Sequence, residues 1–266
     1  MSVSDPLIAV TVEHGVATLC FDRPANGNAL SLALVRELAD TVATLDHDEA
    51  VRCVLLTGSG RFFCVGGDIG AFREAGDSVP VLLKQITAAM HAAVARLARM
   101  SKPLVVAVNG PAAGAGLGFA ALGDIVLAAR SAHFTMAYTG IGLTPDAGTT
   151  ALLPRLIGLR RTQELALTNR RVSAEEAASI GLVTRVVDDA ALMDEAREVA
   201  RTLAAGPVLA HGAIRRLLLA WQPLETQMEL EAQEISLAAA GLEGREGISA
   251  FLAKRKPTFV EAGPAL

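Results

Sequence analysis

The chain has 266 residues, 52% of them hydrophobic, 20% charged and only 4% aromatic, with a mean hydropathy of +0.40. That composition excludes disorder and calls for a sizeable core packed from Ala, Leu and Val. The 24 basic and 28 acidic residues leave a net charge of −4 without long runs of either sign. This argues against a general nucleic-acid or membrane-surface role, while leaving room for a local basic patch that meets phosphates.

In chain order, "MSVSDPLIAV" lacks a basic region followed by an apolar one, so no signal peptide is expected. "LIAVTVEHGVATLCFD" alternates around His14-Gly15 and predicts a hairpin. Leu32, Val35, Leu38, Val42 and Leu45 then recur at three- and four-residue spacing, which predicts an amphipathic helix with Ser31 as its N-cap. "RCVLLTG" reads as a buried strand, "RFFCV" as an apolar strand running into Gly-Gly-Asp, and "VPVLLKQITAAMHAAVARLARM" as a long helix. The uncharged stretch 104–123 is broken by Asn109, Pro111 and glycines, and predicts a strand, a tight turn and a small-residue helix rather than a membrane span. "IVLAARS" closes an alternation of strands and helices that means an α/β core with parallel pairing. Beyond about residue 190 the pattern is helical, with Ala205-Gly206-Pro207 as a joint. The chain therefore divides, as an expectation, into a core over 1–195 and a helical region over 196–266 that packs on the core or on a neighbouring subunit. Cys20, Cys53 and Cys64 form no CxxC pair and no even framework, which points to a reducing, cytoplasmic setting.

Three stretches carry the chemistry. In "RFFCVGGDIGAF" (61–72) the glycines permit positive φ and close approach of a ligand to backbone N–H groups; read alone, the same residues make an ordinary turn with Asp68 as helix cap. In "NGPAAGAGLGFAALGD" (109–124) a helix opens on Gly and Ala, so its first N–H groups are free to meet a developing oxyanion, or its small residues serve close packing. In "GLTPDAGTT" (142–150) Asp146 is either the N-cap of the next helix or a carboxylate held in a pocket.

The order "RPANGNALS", "FFCVGGDIGAF", "KPLVVAVNGPAAGAGLGFAALGDIVLA", "PDAGTTALLPRLIG", "LTNRRVSAEEAASIGLVTRVV" and "EGISAFLAKRKPTF" resembles the enoyl-CoA hydratase/isomerase (crotonase) family over residues 8–260. The resemblance implies a crotonase-like spiral of ββα units with a helical C-terminal trimerisation region, assembling as a trimer or hexamer. It implies an acyl-CoA thioester substrate whose enolate oxygen is held by the backbone N–H groups of Gly67 and Ala115. No cofactor is implied, since CoA arrives with the substrate; no metal is expected, since His14, His47, His133 and His211 show no ligand spacing.

Hydratases of that family carry two glutamates where this chain has Gly118 and Tyr138. Hydration needs one group to deprotonate water and another to protonate carbon, and neither residue is suited. Asp146 matches the position where isomerases of the family, including ring-epoxide isomerases, and the aryl-CoA dehalogenases keep an acid. The implied activity is acyl-CoA isomerisation by proton transfer through Asp146, whose pKa an apolar pocket would raise. Other crotonase reactions (hydration, thioester hydrolysis, dehalogenation) and a non-catalytic acyl-CoA-binding role are the alternatives. Tyr138 and His91 are candidate pocket residues, with a satisfied core tyrosine and a packed or solvated histidine as the plain readings. For the CoA moiety the resemblance implies Arg23, Ala25 and Asn28, together with Val65, Asp68 and Ile69. It also implies that Phe251 and Lys254 reach a neighbouring subunit's ligand; Lys254 with Arg255 and Lys256 is alternatively a basic helix end favoured by its dipole.

Overall fold

The computed structural model describes residues 6–220, 226, 228, 232–233, 237–239 and 241–259. Strands β1 (Ile8–Glu13) and β2 (Val16–Phe21) form the expected antiparallel hairpin, turning at His14 and Gly15, both at positive φ. Helix α1 (Leu32–His47) starts on Ser31, whose Oγ accepts the Leu34 N–H, and buries Leu34, Val35, Leu38, Val42 and Leu45. Leu34 takes the buried place expected of Leu32, which is only partly covered.

Strands β3 (Cys53–Gly58), β4 (Leu104–Val108), β5 (Ala112–Ala113), β6 (Ile125–Ala129), β7 (His133–Thr135), β8 (Val172–Ser173) and β9 (Arg185–Val187) complete two sheets. The larger has the order β1-β2-β3-β4-β6-β9, with every pair after the hairpin parallel. The smaller has the order β5-β7-β8. Every residue of β3 and β4 is buried, which is why both read as continuous apolar runs rather than as alternation.

The helices between and after these strands are α2 (Ile69–Ala75), α3 (Val79–Arg99), α4 (Ala115–Ala121), α5 (Thr149–Ile157), α6 (Leu159–Thr168), α7 (Ala174–Ser179), α8 (Leu192–Ala204), α9 (Val208–Ala220) and α10 (Leu242–Leu252). α1 packs beside α3, and α8 lies across β2, β3, β4 and β6. The expected 195/196 boundary falls inside α8, whose Ala196, Ala200 and Ala204 are buried in the core. The joint at 205–207 is real: α8 and α9 meet there at 103°. From α9 the Arg215 guanidinium reaches back to the carbonyls of Leu97, Met100 and Lys102, and its Nε lies 2.7 Å from Asp124 Oδ2, off the line of a good hydrogen bond.

One expected strand is absent. Residues 61–65 turn at Arg61, bend at Phe63 and carry only an isolated bridge between Cys64 and Ala112. Side-chain amides take the place of a ladder: Asn28 donates to the carbonyls of Ser59, Phe62 and Phe63, and Asn109 to those of Gly60 and Phe62. Carbonyls without a ladder still need donors, and two asparagines supply them. Phe21 of β2 contacts the rings of both Phe63 and Phe119 edge-on, at 5.8 and 5.4 Å. The few aromatics thus tie the 61–67 segment and α4 to the same strand.

Candidate active site

The Cys64–Ala112 bridge sets the register of two chain segments. Three residues beyond it on one side stands Gly67; three residues beyond it on the other stands Ala115. Between them the backbones touch. A Cβ on Gly66 (φ +92) would lie 2.9 Å from the Ala113 carbonyl oxygen and 3.4 Å from Gly114 Cα, so only glycine allows this approach. Ala115 is the first residue of α4, where an N–H has no intrahelical acceptor. Gly67 N–H is likewise left over, because the bridge to Leu30 uses the Gly66 carbonyl and the Asp68 N–H. No acceptor among the described residues takes either donor, so two backbone N–H groups stand together at one wall of a pocket.

That pocket has a volume of about 520 Å³. Leu30, Phe72, Ile86, Met90 and Leu143 make it apolar; Val65 and Ile69 also line it, Ile69 being half exposed at its mouth. The same pocket is lined by Tyr138, His91 and Asp146. The Tyr138 hydroxyl donates to Asp146 Oδ1 at 2.7 Å. Burial drives the Asp146 carboxyl above its ordinary range, against the opposing pull of the Tyr138 hydroxyl. Burial and the same carboxylate push the Tyr138 phenol up, so it stays protonated and acts as a donor.

Asp146 is not a helix cap. α5 begins at Thr149 after Gly148, at φ +76, and it is the Asp146 backbone carbonyl that accepts the Thr149 N–H and Oγ1. The side chain is left free to turn into the pocket. His91 on α3 accepts the Ala147 N–H at Nε2, 3.3 Å away.

The expected CoA-contacting residues divide. Asp68 caps α2 through the Ala71 N–H and pairs with Arg23 at 3.0 Å; burial opposes its ionisation, yet the Ala71 N–H and Arg23 together hold its carboxyl below the ordinary value. Arg23 also donates to the Ala29 carbonyl, and Ala25 is exposed on the adjoining turn. Asn28 is fully buried with its amide committed to the 59–63 carbonyls, so it is placed as a lock of the segment that carries Gly67, not on the pocket wall. Lys254 is exposed just past α10 and outside this pocket; the side chain of Phe251 lies outside the described residues.

Two features lay beyond the sequence reading. Gly118 abuts Ala147: a Cβ at 118 would lie 2.8 Å from Ala147 Cβ and 3.0 Å from its carbonyl oxygen. Ala147 itself is fully buried at φ +51, a conformation that alanine gives no sign of in a sequence.

Residues 11–262 match the family described as enoyl-CoA hydratase/isomerase. The chain belongs to the enoyl-CoA hydratase/isomerase family. It is 43% identical to the 1,2-epoxyphenylacetyl-CoA isomerase of Escherichia coli K12 over 93% of this chain and 96% of that one. It is 39% identical to a protein of Rhodobacter capsulatus named "Probable enoyl-CoA hydratase", over 95% and 97% of the two chains. The crystal structure of an enoyl-CoA hydratase from Polaromonas sp. JS666 superposes with a TM-score of 0.90 at 30% identity, covering 94% and 98%. The fold is thus that of the crotonases.

Proposed function

We propose that this chain is an acyl-CoA isomerase that moves a proton through a thioester enolate. The observation that carries the reading is the Asp146 carboxylate, hydrogen-bonded by Tyr138 in an apolar pocket whose lining also includes Gly67 and Ala115. The thioester carbonyl oxygen accepts from Gly67 and Ala115. Asp146 takes a proton from the acyl chain, the electron pair moves into the carbonyl to form the enolate, and the proton returns at a carbon two positions away. Each donor to a developing oxyanion lowers the barrier by about 3 kcal/mol in enzymes built this way. A carboxylate whose pKa burial has raised is a better base than an ordinary aspartate and a fitting acid for the return of the proton.

Names of relatives point both to isomerisation and to hydration. What favours isomerisation is the inventory of acids. Position 118 has no side chain and no room for one, and Tyr138 is a donor to Asp146 rather than a base. One carboxylate suffices for a proton shift but leaves hydration without a second acid.

The same reading includes a homotrimer or a pair of trimers, in which Lys254 and Phe251 reach a neighbour's ligand, and a cytoplasmic setting. Cys20, Cys53 and Cys64 are free thiols pushed by burial up to about 11, 12 and 12, so they stay protonated.

The test is a panel of CoA thioesters in heavy water, followed by mass spectrometry for deuterium at the acyl carbons. The wild-type chain exchanges at least one member of the panel. Asp146→Asn lowers that exchange by about a hundredfold or more while still binding the ester. Undiminished exchange in Asp146→Asn would falsify the assignment.

A further inference from the structure

Ala147 sits next to the proposed acid at φ +51, a left-handed conformation that strains a non-glycine residue, and such residues persist only where their surroundings hold them. Two contacts do so here. On one side its N–H is donated to His91 Nε2 at 3.3 Å; on the other its Cβ and carbonyl lie against the bare Cα of Gly118. The chain is further closed by the Asp146 carbonyl accepting from Thr149 N and Oγ1.

We propose that His91 and Gly118 latch the Ala147 peptide from opposite sides, making His91 a positioning residue that holds Asp146 against Tyr138, not a group that transfers a proton. This rests on the reading of Asp146 as the acid and base. Nε2 must present its lone pair to the Ala147 N–H, so the ring proton of a neutral His91 is on Nδ1. The imidazole is thereby committed at the one nitrogen that meets the loop. Gly118 takes on a further meaning: any side chain there would collide with the residue that follows the acid. A side-chain acid at 118 and this placement of Asp146 exclude each other sterically in this backbone.

Glutamine and asparagine separate the possibilities, because a glutamine amide reaches about as far as Nε2 and an asparagine amide only about as far as Nδ1. His91 is exposed on α3, so these substitutions leave the core alone. With a substrate found by the exchange screen, His91→Asn and His91→Ala lower kcat by about tenfold, the order expected when a single positioning hydrogen bond is lost, with KM within about twofold of wild type. His91→Gln recovers most of that loss. If His91→Gln is as impaired as His91→Ala, the ring itself does the chemistry and the latch is overturned.

A second readout needs no substrate. In the free protein, the Ala147 amide exchanges its hydrogen about tenfold faster in His91→Ala than in wild type, followed by NMR, and His91→Gln restores protection. Equal exchange in wild type and His91→Ala overturns the proposal. Gly118→Ala gives the same acceleration, and adding Ala147→Gly to it reverses the effect by removing the nearest clashing carbon; no change in either variant counts against the Gly118 half of the latch. Should Asp146→Asn keep full activity, the isomerase reading falls while the amide measurement still judges the latch.

Discussion

At the scale of single residues, the pair Tyr138–Asp146 sets the pH range of the reaction. Burial raises the Asp146 carboxyl, and the Tyr138 hydroxyl pulls it back by stabilising the charged form. A proton-abstracting Asp146 must be ionised, so kcat/KM falls as pH drops through its pKa in the free enzyme. Removing the donor leaves the carboxylate less stabilised and raises that pKa further. Tyr138→Phe therefore shifts the acidic limb of the kcat/KM profile upward by about one unit, the size expected for one hydrogen bond to a charged group. The sign is the discriminating part. If Tyr138 were itself the acid or base, its loss would remove its own limb from the profile instead of shifting the acidic one.

At the scale of elements, the site depends on how an irregular segment is held. Residues 59–63 present carbonyls without a ladder, and the fully buried Asn28 amide satisfies three of them while its own oxygen accepts the Arg23 N–H. Asn28→Ala leaves the Ser59 and Phe63 carbonyls and the Arg23 N–H without this partner, with Phe62 keeping Asn109, and costs about 3 kcal/mol in denaturant unfolding. Because the same segment ends at Gly67, kcat falls more than KM. A stability loss with kinetics untouched would show that the 61–67 turn is fixed by other contacts, chiefly Phe63 on Phe21. The element scale is also where sequence reading works and where it fails. Periodicity predicts α1 and its Ser31 cap, and continuous apolar runs predict β3 and β4, because burial leaves those marks on residue type. The two donor turns are visible as glycine and alanine at helix openings. The Asn28 lock reads instead as a turn, since an amide satisfying carbonyls 31 to 35 residues away has no local signature. The Ala147 conformation is silent for the same reason: nothing nearby requires it, and the contacts that do come from α3 and α4.

At the scale of the whole molecule, the described part of the helical tail is anchored through Arg215 and exposes large apolar side chains elsewhere. Arg215 fixes α9 to the end of α3 and the start of β4 through three carbonyls and Asp124. With α9 so oriented, Ile214 and Leu218, one turn apart on the same face, are 54% and 79% exposed. Ile248 and Leu252 on α10 are similarly open, at 55% and 76%. Covering a leucine of this kind is worth about 1.5–3 kcal/mol, and the proposed trimer supplies the cover. Leu218→Glu places a charge in that contact and leaves the α9 anchor intact. In size-exclusion chromatography with light scattering, wild type then runs at three or six times the mass of one chain, and Leu218→Glu runs at one. The kinetic consequence follows from Lys254, exposed past α10 and outside its own chain's pocket. If Lys254 serves a neighbour's CoA ester, dissociation raises KM by about tenfold, the value of one lost charge-assisted contact. Asp146 and its donors come from a single chain, so kcat at saturation changes little. A monomeric Leu218→Glu variant with wild-type KM would remove the neighbour from the binding site and leave each protomer catalytically self-sufficient.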